Sequence, residues 1–225
     1  MFGLDDQIAS LSDGATFLVV CLVAIALGLR HASDPDHVTA VTTLVAGDRE
    51  GGARRARRLG LAWGAGHATA LFVFGVPIVL SASYLPDVVQ KAAETAVGVM
   101  IVALAVRLLV RWRRGELGHR HGARGRTRAQ AFGIGLVHGV GGSAGVGLLL
   151  LAGIHDRAEA LVALALFAAC TAVSMAVASA SFGFVLGREA VAARYLTVAP
   201  VIGAASLAFG AWYALGAMGA VPYVL

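Results

Sequence analysis

The sequence predicts an all-α membrane protein of six transmembrane helices arranged as a 3+3 inverted repeat, and three observations predict it. The first is composition. Of 225 residues, 58% are apolar, only 14% are charged and 29 are glycine, whereas about a quarter of the residues of an ordinary soluble domain are charged. The second is the length of the apolar runs: about 20 residues are needed to cross a hydrocarbon core. Six segments qualify, at 15–34, 59–83, 91–112, 129–153, 158–186 and 196–220. Inside lipid no water can satisfy free backbone groups, so such runs are expected to be helices. The third observation is where the charges fall.

Taken in order, the chain starts MFGLDDQIASLSDG, with Asp5, Asp6 and Asp13 but no Lys or Arg. It therefore lacks the basic flank and cleavage site of a secretory signal, and the first span is expected to stay in the mature protein. The first loop carries Arg49, Arg54, Arg55, Arg57 and Arg58. The third carries Arg111, Arg113, Arg114, Arg120, Arg124, Arg126 and Arg128, and the fifth Arg188 and Arg194. Fourteen of the 18 basic residues thus lie on one side, against Lys91 and Arg157 in the second and fourth loops. By the positive-inside rule the odd loops are cytoplasmic, and both termini lie outside the cell membrane. Membrane topology accounts for the net charge of +5, so no nucleic-acid partner is inferred. Arg107, inside the third segment, is expected to snorkel toward Arg111 at the interface.

An offset of 107 residues lays GLRH (28–31) on GLVH (135–138) and carries the first three spans onto the last three. Three spans per half is an odd number, so the halves insert in opposite orientations. Many secondary transporters share this architecture, with the substrate site at the repeat interface on interrupted helices. The expected organisation is one polytopic domain over 1–225: a first half at 1–112, a basic cytoplasmic loop at 113–128 and a second half at 129–225.

The chemistry is concentrated in GLRHASDPDHVTAV (28–41). On a helix His31, Asp34 and His37, spaced by three, share one stripe, and Asp36 points elsewhere. Pro35 removes a backbone donor and disfavours a helical residue before it, so a break or bend is expected here. The break would turn Asp36 and His37 toward His31 and free carbonyls as extra ligands. A carboxylate at a helix centre costs about 2.5 to 3.5 kcal/mol to insert, so two of them beside Arg30 imply a role or a wet mouth. Span two adds His67 and Thr69 in WGAGHATALF, and span four adds His138 in LVHGVGGSAG. Imidazole and carboxylate together suit borderline divalent ions such as nickel, cobalt and zinc, and the cluster has no thiolate for copper(I). Cys21 and Cys170 form no ligand pattern and are read as packing residues. His119 and His121 lie in the Gly/Arg-rich third loop and are read as solvated.

At these residues the chain resembles the nickel/cobalt transporter family, whose signature is close to R-H-A-x-D-A-D-H. Arg30, His31, Ala32, Asp34, Asp36 and His37 match it, with Pro35 where Ala is usual. GAGHATAL is similar to the family's second signature through Gly66, His67 and Thr69. Larger permeases of the family have eight spans and a third signature, L-G-x-D-T-A-T-E, which is missing here. HGVGGSAG instead looks like the shorter nickel-permease relatives among urease accessory membrane proteins.

The resemblance implies transport of Ni2+ or Co2+ as substrate, with no prosthetic group. His31, Asp36, His37 and His67 are expected to hold the ion directly. Asp34 and His138 are expected to assist, or to form a second site across the pseudo-two-fold axis, with Asp34 suited to orienting a ligand imidazole. A ligating His must be neutral, so acid is expected to weaken binding near and below its ordinary pKa of about 6.5. Two rival readings of the same residues are a proton relay serving a non-metal substrate and an intramembrane metalloenzyme. The chain has no H-E-x-x-H, so it is not expected to be an enzyme. Expected partners are the metal ion and the lipid bilayer; a homo-oligomer and an intracellular metal chaperone stay open.

Overall fold

The computed structural model describes residues 17–46, 52–81, 86–117, 126–141, 154, 156–188, 191 and 194–222. Among the described residues there are seven helices: α1 Phe17–His31, α2 Pro35–Ala46, α3 Gly52–Ser81, α4 Asp87–Arg113, α5 Arg128–His138, α6 Arg157–Gly187 and α7 Tyr195–Ala217. Four of them, α3, α4, α6 and α7, are long and apolar enough to cross a bilayer. α1 and α2 pass the same test together across a bend of 46°. The chain is thus a multi-pass helical membrane protein.

Two sequence expectations change. The first span does not end at residue 34, because the chain resumes as α2 and stays helical to Ala46. Pro35 takes the first helical position of α2, where its missing N–H costs nothing and its fixed φ suits the turn. The carbonyls expected to be freed at the break are occupied: those of Arg30 and His31 accept the N–H groups of Ser33 and Asp34, and that of Asp34 accepts Val38 N–H. Of the fourth expected span, α5 covers the start, and 142–153 lie outside the described residues.

Helix starts follow local chemistry. Thr127 and Gln130 close a reciprocal capping box at α5, each side chain accepting the other's backbone N–H (3.2 and 3.1 Å). Asp156 caps α6 by accepting from Ala158 and Glu159 N–H.

The central pair is α3 against α6, with α5 laid on α3 and α1 on α6. α4 pairs with α7, and α2 touches α4, α6 and α7, bridging the two groups. The Tyr195 hydroxyl donates to the Ala46 carbonyl, satisfying an end group of α2 from α7. With lipid outside there is little hydrophobic drive between helices, so close backbone approach through small residues supplies packing. A Cβ at Gly28 on α1 would lie 2.6 Å from the Phe167 carbonyl oxygen of α6, and one at Gly135 on α5 would overlap the Trp63 carbonyl of α3. Gly98 and Gly210 make the corresponding close approach between α4 and α7.

The 107-residue offset can be compared with these bounds. Moved by 107, α3 covers 159–188 against Arg157–Gly187 for α6, and α4 covers 194–220 against Tyr195–Ala217 for α7. His31, which ends α1, falls on His138, which ends α5.

Candidate metal centre

Four helices deliver the polar residues. α1 ends on His31, the first turn of α2 carries Asp36 and His37, α3 carries His67 and α5 ends on His138. Asp34 sits in the link between α1 and α2. None of these six residues is more than 3% exposed. Two glycines let α5 come close enough to take part: Gly135 lies against the Trp63 carbonyl, and a Cβ at Gly139 would stand 2.6 Å from the His67 carbonyl.

His31 Nε2 is 3.1 Å from His67 Nε2, and the ring of His37 lies 4.3 Å from that of His31 and 5.2 Å from that of His67. On the other side of His37, its Nδ1 is 3.2 Å from Asp36 Oδ1, and the second oxygen of Asp36 is 3.1 Å from His138 Nε2. The rings of His37 and His138 are 4.1 Å apart. Two groups of three donors result, His31/His37/His67 and Asp36/His37/His138, each with ligand atoms within 4.8 Å of one another. Adjacent donors bonded at ~2.1 Å to one ion stand about 3 Å apart, the spacing of both the His31–His67 and the Asp36–His138 pairs.

Asp34 differs from Asp36. Its Oδ2 is 3.2 Å from His31 Nδ1 and its Oδ1 is 3.6 Å from the Arg30 guanidinium. A carboxylate on Nδ1 holds that nitrogen as the N–H and leaves Nε2 with the lone pair. That geometry turns His31 Nε2 toward His67.

Several buried polar atoms in the cluster have no hydrogen-bond partner: His37 Nε2, His67 Nδ1 and His138 Nδ1. Each such atom costs about 1–3 kcal/mol, and a group of them in one place calls for a ligand. The site residues expected from the sequence are therefore neighbours, with His138 in direct contact with Asp36. Thr69 is not among them: it is exposed, and its hydroxyl donates to the Ala65 carbonyl (2.8 Å). His119 and His121 lie outside the described residues.

Sequence reading passed over Trp63. Its ring, buried, lies 5.8 Å from His37 and 5.6 Å from His138, and its indole N–H has no partner. It stands four residues before His67, on the same face of α3, and that spacing could have found it. Phe167 packs edge-on against the His31 ring, 5.5 Å away.

Comparison with known proteins adds a relative. The chain is 27% identical over 175 residues to the urease accessory protein UreH of Bacillus sp. (strain TB-90), covering 72% of this chain and 75% of that protein. The chain matches no protein-family profile. No solved structure matches it. Motifs and relative agree: this chain is similar to the urease-accessory type of the nickel/cobalt transporter family.

Proposed function

We propose that the chain carries a divalent transition metal, Ni2+ or Co2+, across the cell membrane as a transporter rather than an enzyme. The observation that carries the reading is the buried cluster itself. Four imidazoles and two carboxylates from four helices meet beside a helix break, with donor atoms left unpartnered. Nitrogen and oxygen donors of this kind suit nickel and cobalt. Three protein ligands leave coordination positions open, as a site that must release its ion requires. In this reading His31, Asp36, His37, His67 and His138 offer donor atoms, and Asp34 orients His31. The similarity to a protein named for a urease accessory role supports the same choice, because the motifs resemble the nickel permeases of that type.

The architecture we propose is six spans in two inverted halves, 1–112 and 129–225, joined by the basic segment 113–128, with odd loops cytoplasmic and both termini outside. The agreement of helix ends at an offset of 107 residues supports it. So does the distribution of arginines.

The test is flux of nickel-63 and cobalt-57 in cells or proteoliposomes, comparing the intact protein with His37→Ala at matched insertion. Saturable flux that falls by at least about 100-fold in the variant is expected, since even outer partners of a metal site are worth 10–100-fold. Folded intact protein that neither binds nor moves either ion removes the metal reading, and transport of a non-metal substrate surviving His37→Ala would favour a different cargo.

A further inference from the structure

His37 belongs to both groups of donors, and this has a consequence for how the cargo moves. We infer that the cluster is two overlapping ion positions that share His37, occupied one at a time, and that the ion passes between them by exchanging the other ligands. The inference rests on the metal-transport reading above.

The first position is made of His31, His37 and His67, three imidazoles and no carboxylate. The second is made of Asp36, His37 and His138, two imidazoles and one carboxylate. His31 and His67 face each other at 3.1 Å, as do Asp36 and His138. The His37 ring lies between the pairs, 4.3 Å from His31 and 4.1 Å from His138, while the His67 and His138 rings are 6.0 Å apart. A neutral imidazole has one lone-pair nitrogen, so His37 can ligate in only one group at a time. Its Nδ1 contacts Asp36 in the second group, and its Nε2 has no partner. In the exchange the bonds from His31 and His67 to the ion break, and bonds from Asp36 and His138 form. His37 stays bound throughout, through the same nitrogen. No electron changes hands, and each leaving imidazole keeps its own N–H.

Two aromatic rings border the cluster. Trp63 packs on His37 and His138, and Phe167 on His31. The change in donor set gives the step a chemical gradient, from a neutral, nitrogen-only position to one with a fixed negative charge. A divalent ion prefers the second electrostatically, and it can be drawn back only by a change in what surrounds Asp36.

The experiment loads purified, detergent-solubilised protein with Co2+, counts ions per chain and identifies their ligands by X-ray absorption and the cobalt ligand-field spectrum. Intact protein, His138→Gln and His67→Gln are compared for binding and flux. One ion per chain is expected in all three. His138→Gln should hold its ion on three imidazoles without carboxylate, and His67→Gln on two imidazoles and a carboxylate. Each variant should bind within about 10-fold of the intact affinity, the smallest loss typical of a missing outer partner, yet transport at background. Two ions on one intact chain would overturn the shared-ligand argument. The same mixed ligand set in both variants, each short of one donor, would mean a single site and would also overturn it. If either variant does not fold, the intact protein decides alone, since a uniform site with four imidazoles and a carboxylate excludes two positions. Folded intact protein with no bound Co2+ or Ni2+ would fail the metal reading itself, an outcome distinct from these.

Discussion

The ends of α1 and α5 invite comparison. Both helices finish on the histidine of a Gly-Leu-x-His tetrad, and in both the glycine three residues earlier presses on the backbone of a longer helix, α6 for Gly28 and α3 for Gly135. Their surroundings then part. His31 meets His67 of α3, but 107 residues after His67 stands Ser174, whose hydroxyl donates to the Gly28 carbonyl at 3.0 Å. His138 finds its partner in Asp36 of α2 instead. The two helix ends are alike in form while their chemistry differs. One end of the pair supplies a ligand partner across the helix crossing, and the other spends the equivalent position on packing.

The largest expected effect tests that split. His67→Ala should lower metal flux by at least about 100-fold, while Ser174→Ala should leave flux intact and lower stability by about 0.6 kcal/mol, the usual worth of a side-chain hydrogen bond between membrane helices. Flux assays and thermal unfolding in detergent read the two separately. Equal loss of flux in both variants would break the comparison.

Next in size are the crossings. Gly135→Ala and Gly28→Ala each push a methyl group into a backbone carbonyl of the neighbouring helix, and overpacking of this sort costs about 1–3 kcal/mol. Both should also weaken metal binding, because each glycine sets where its histidine lands. Gly133, two residues before Gly135 on the same helix, has open space at its Cβ. Gly133→Ala should be neutral, or stabilising by up to about 1 kcal/mol through helix propensity. Thermal unfolding together with Co2+ titration checks all three, and a Gly133 variant as damaged as the Gly135 variant would contradict the crossing argument.

The smallest effect belongs to the start of α5. Thr127→Ala removes one half of the capping box and should cost about 1 kcal/mol, with Co2+ affinity unchanged. A loss of affinity there would mean that the capping residue reaches the site by a route the hydrogen bonds do not contain.

Much of the candidate site is legible in the sequence. RHASDPDH named four of its polar groups, because a membrane segment holding two carboxylates and two imidazoles is expensive unless they are used. Pro35 marked the break correctly, since a residue without an N–H can start a helix but not continue one. The extent of the helical passage was misread, because α2 is a polar-looking run of threonines and valines. Its threonines satisfy their hydroxyls on carbonyls of their own helix, Thr39 on Pro35 and Thr43 on Thr39, and so can be buried. The separate roles of Asp34 and Asp36 could not be read from spacing. The bend at 32–34 rotates one toward His31 and Arg30 and the other toward His138.

By itself the sequence determined the class of the molecule, the break in its first helical passage and the residue types of the site, because hydropathy, proline geometry and the price of buried charge act locally along the chain. Only the tertiary structure decided which of those residues touch. Asp36 and His138 are 102 positions apart, and Trp63 and Phe167 border the cluster only once α3, α5 and α6 are packed. Their meeting depends on how deeply one helix sinks against another, a distance set at Gly28, Gly135 and Gly139 by backbone meeting backbone. No periodicity within a single helix encodes that distance.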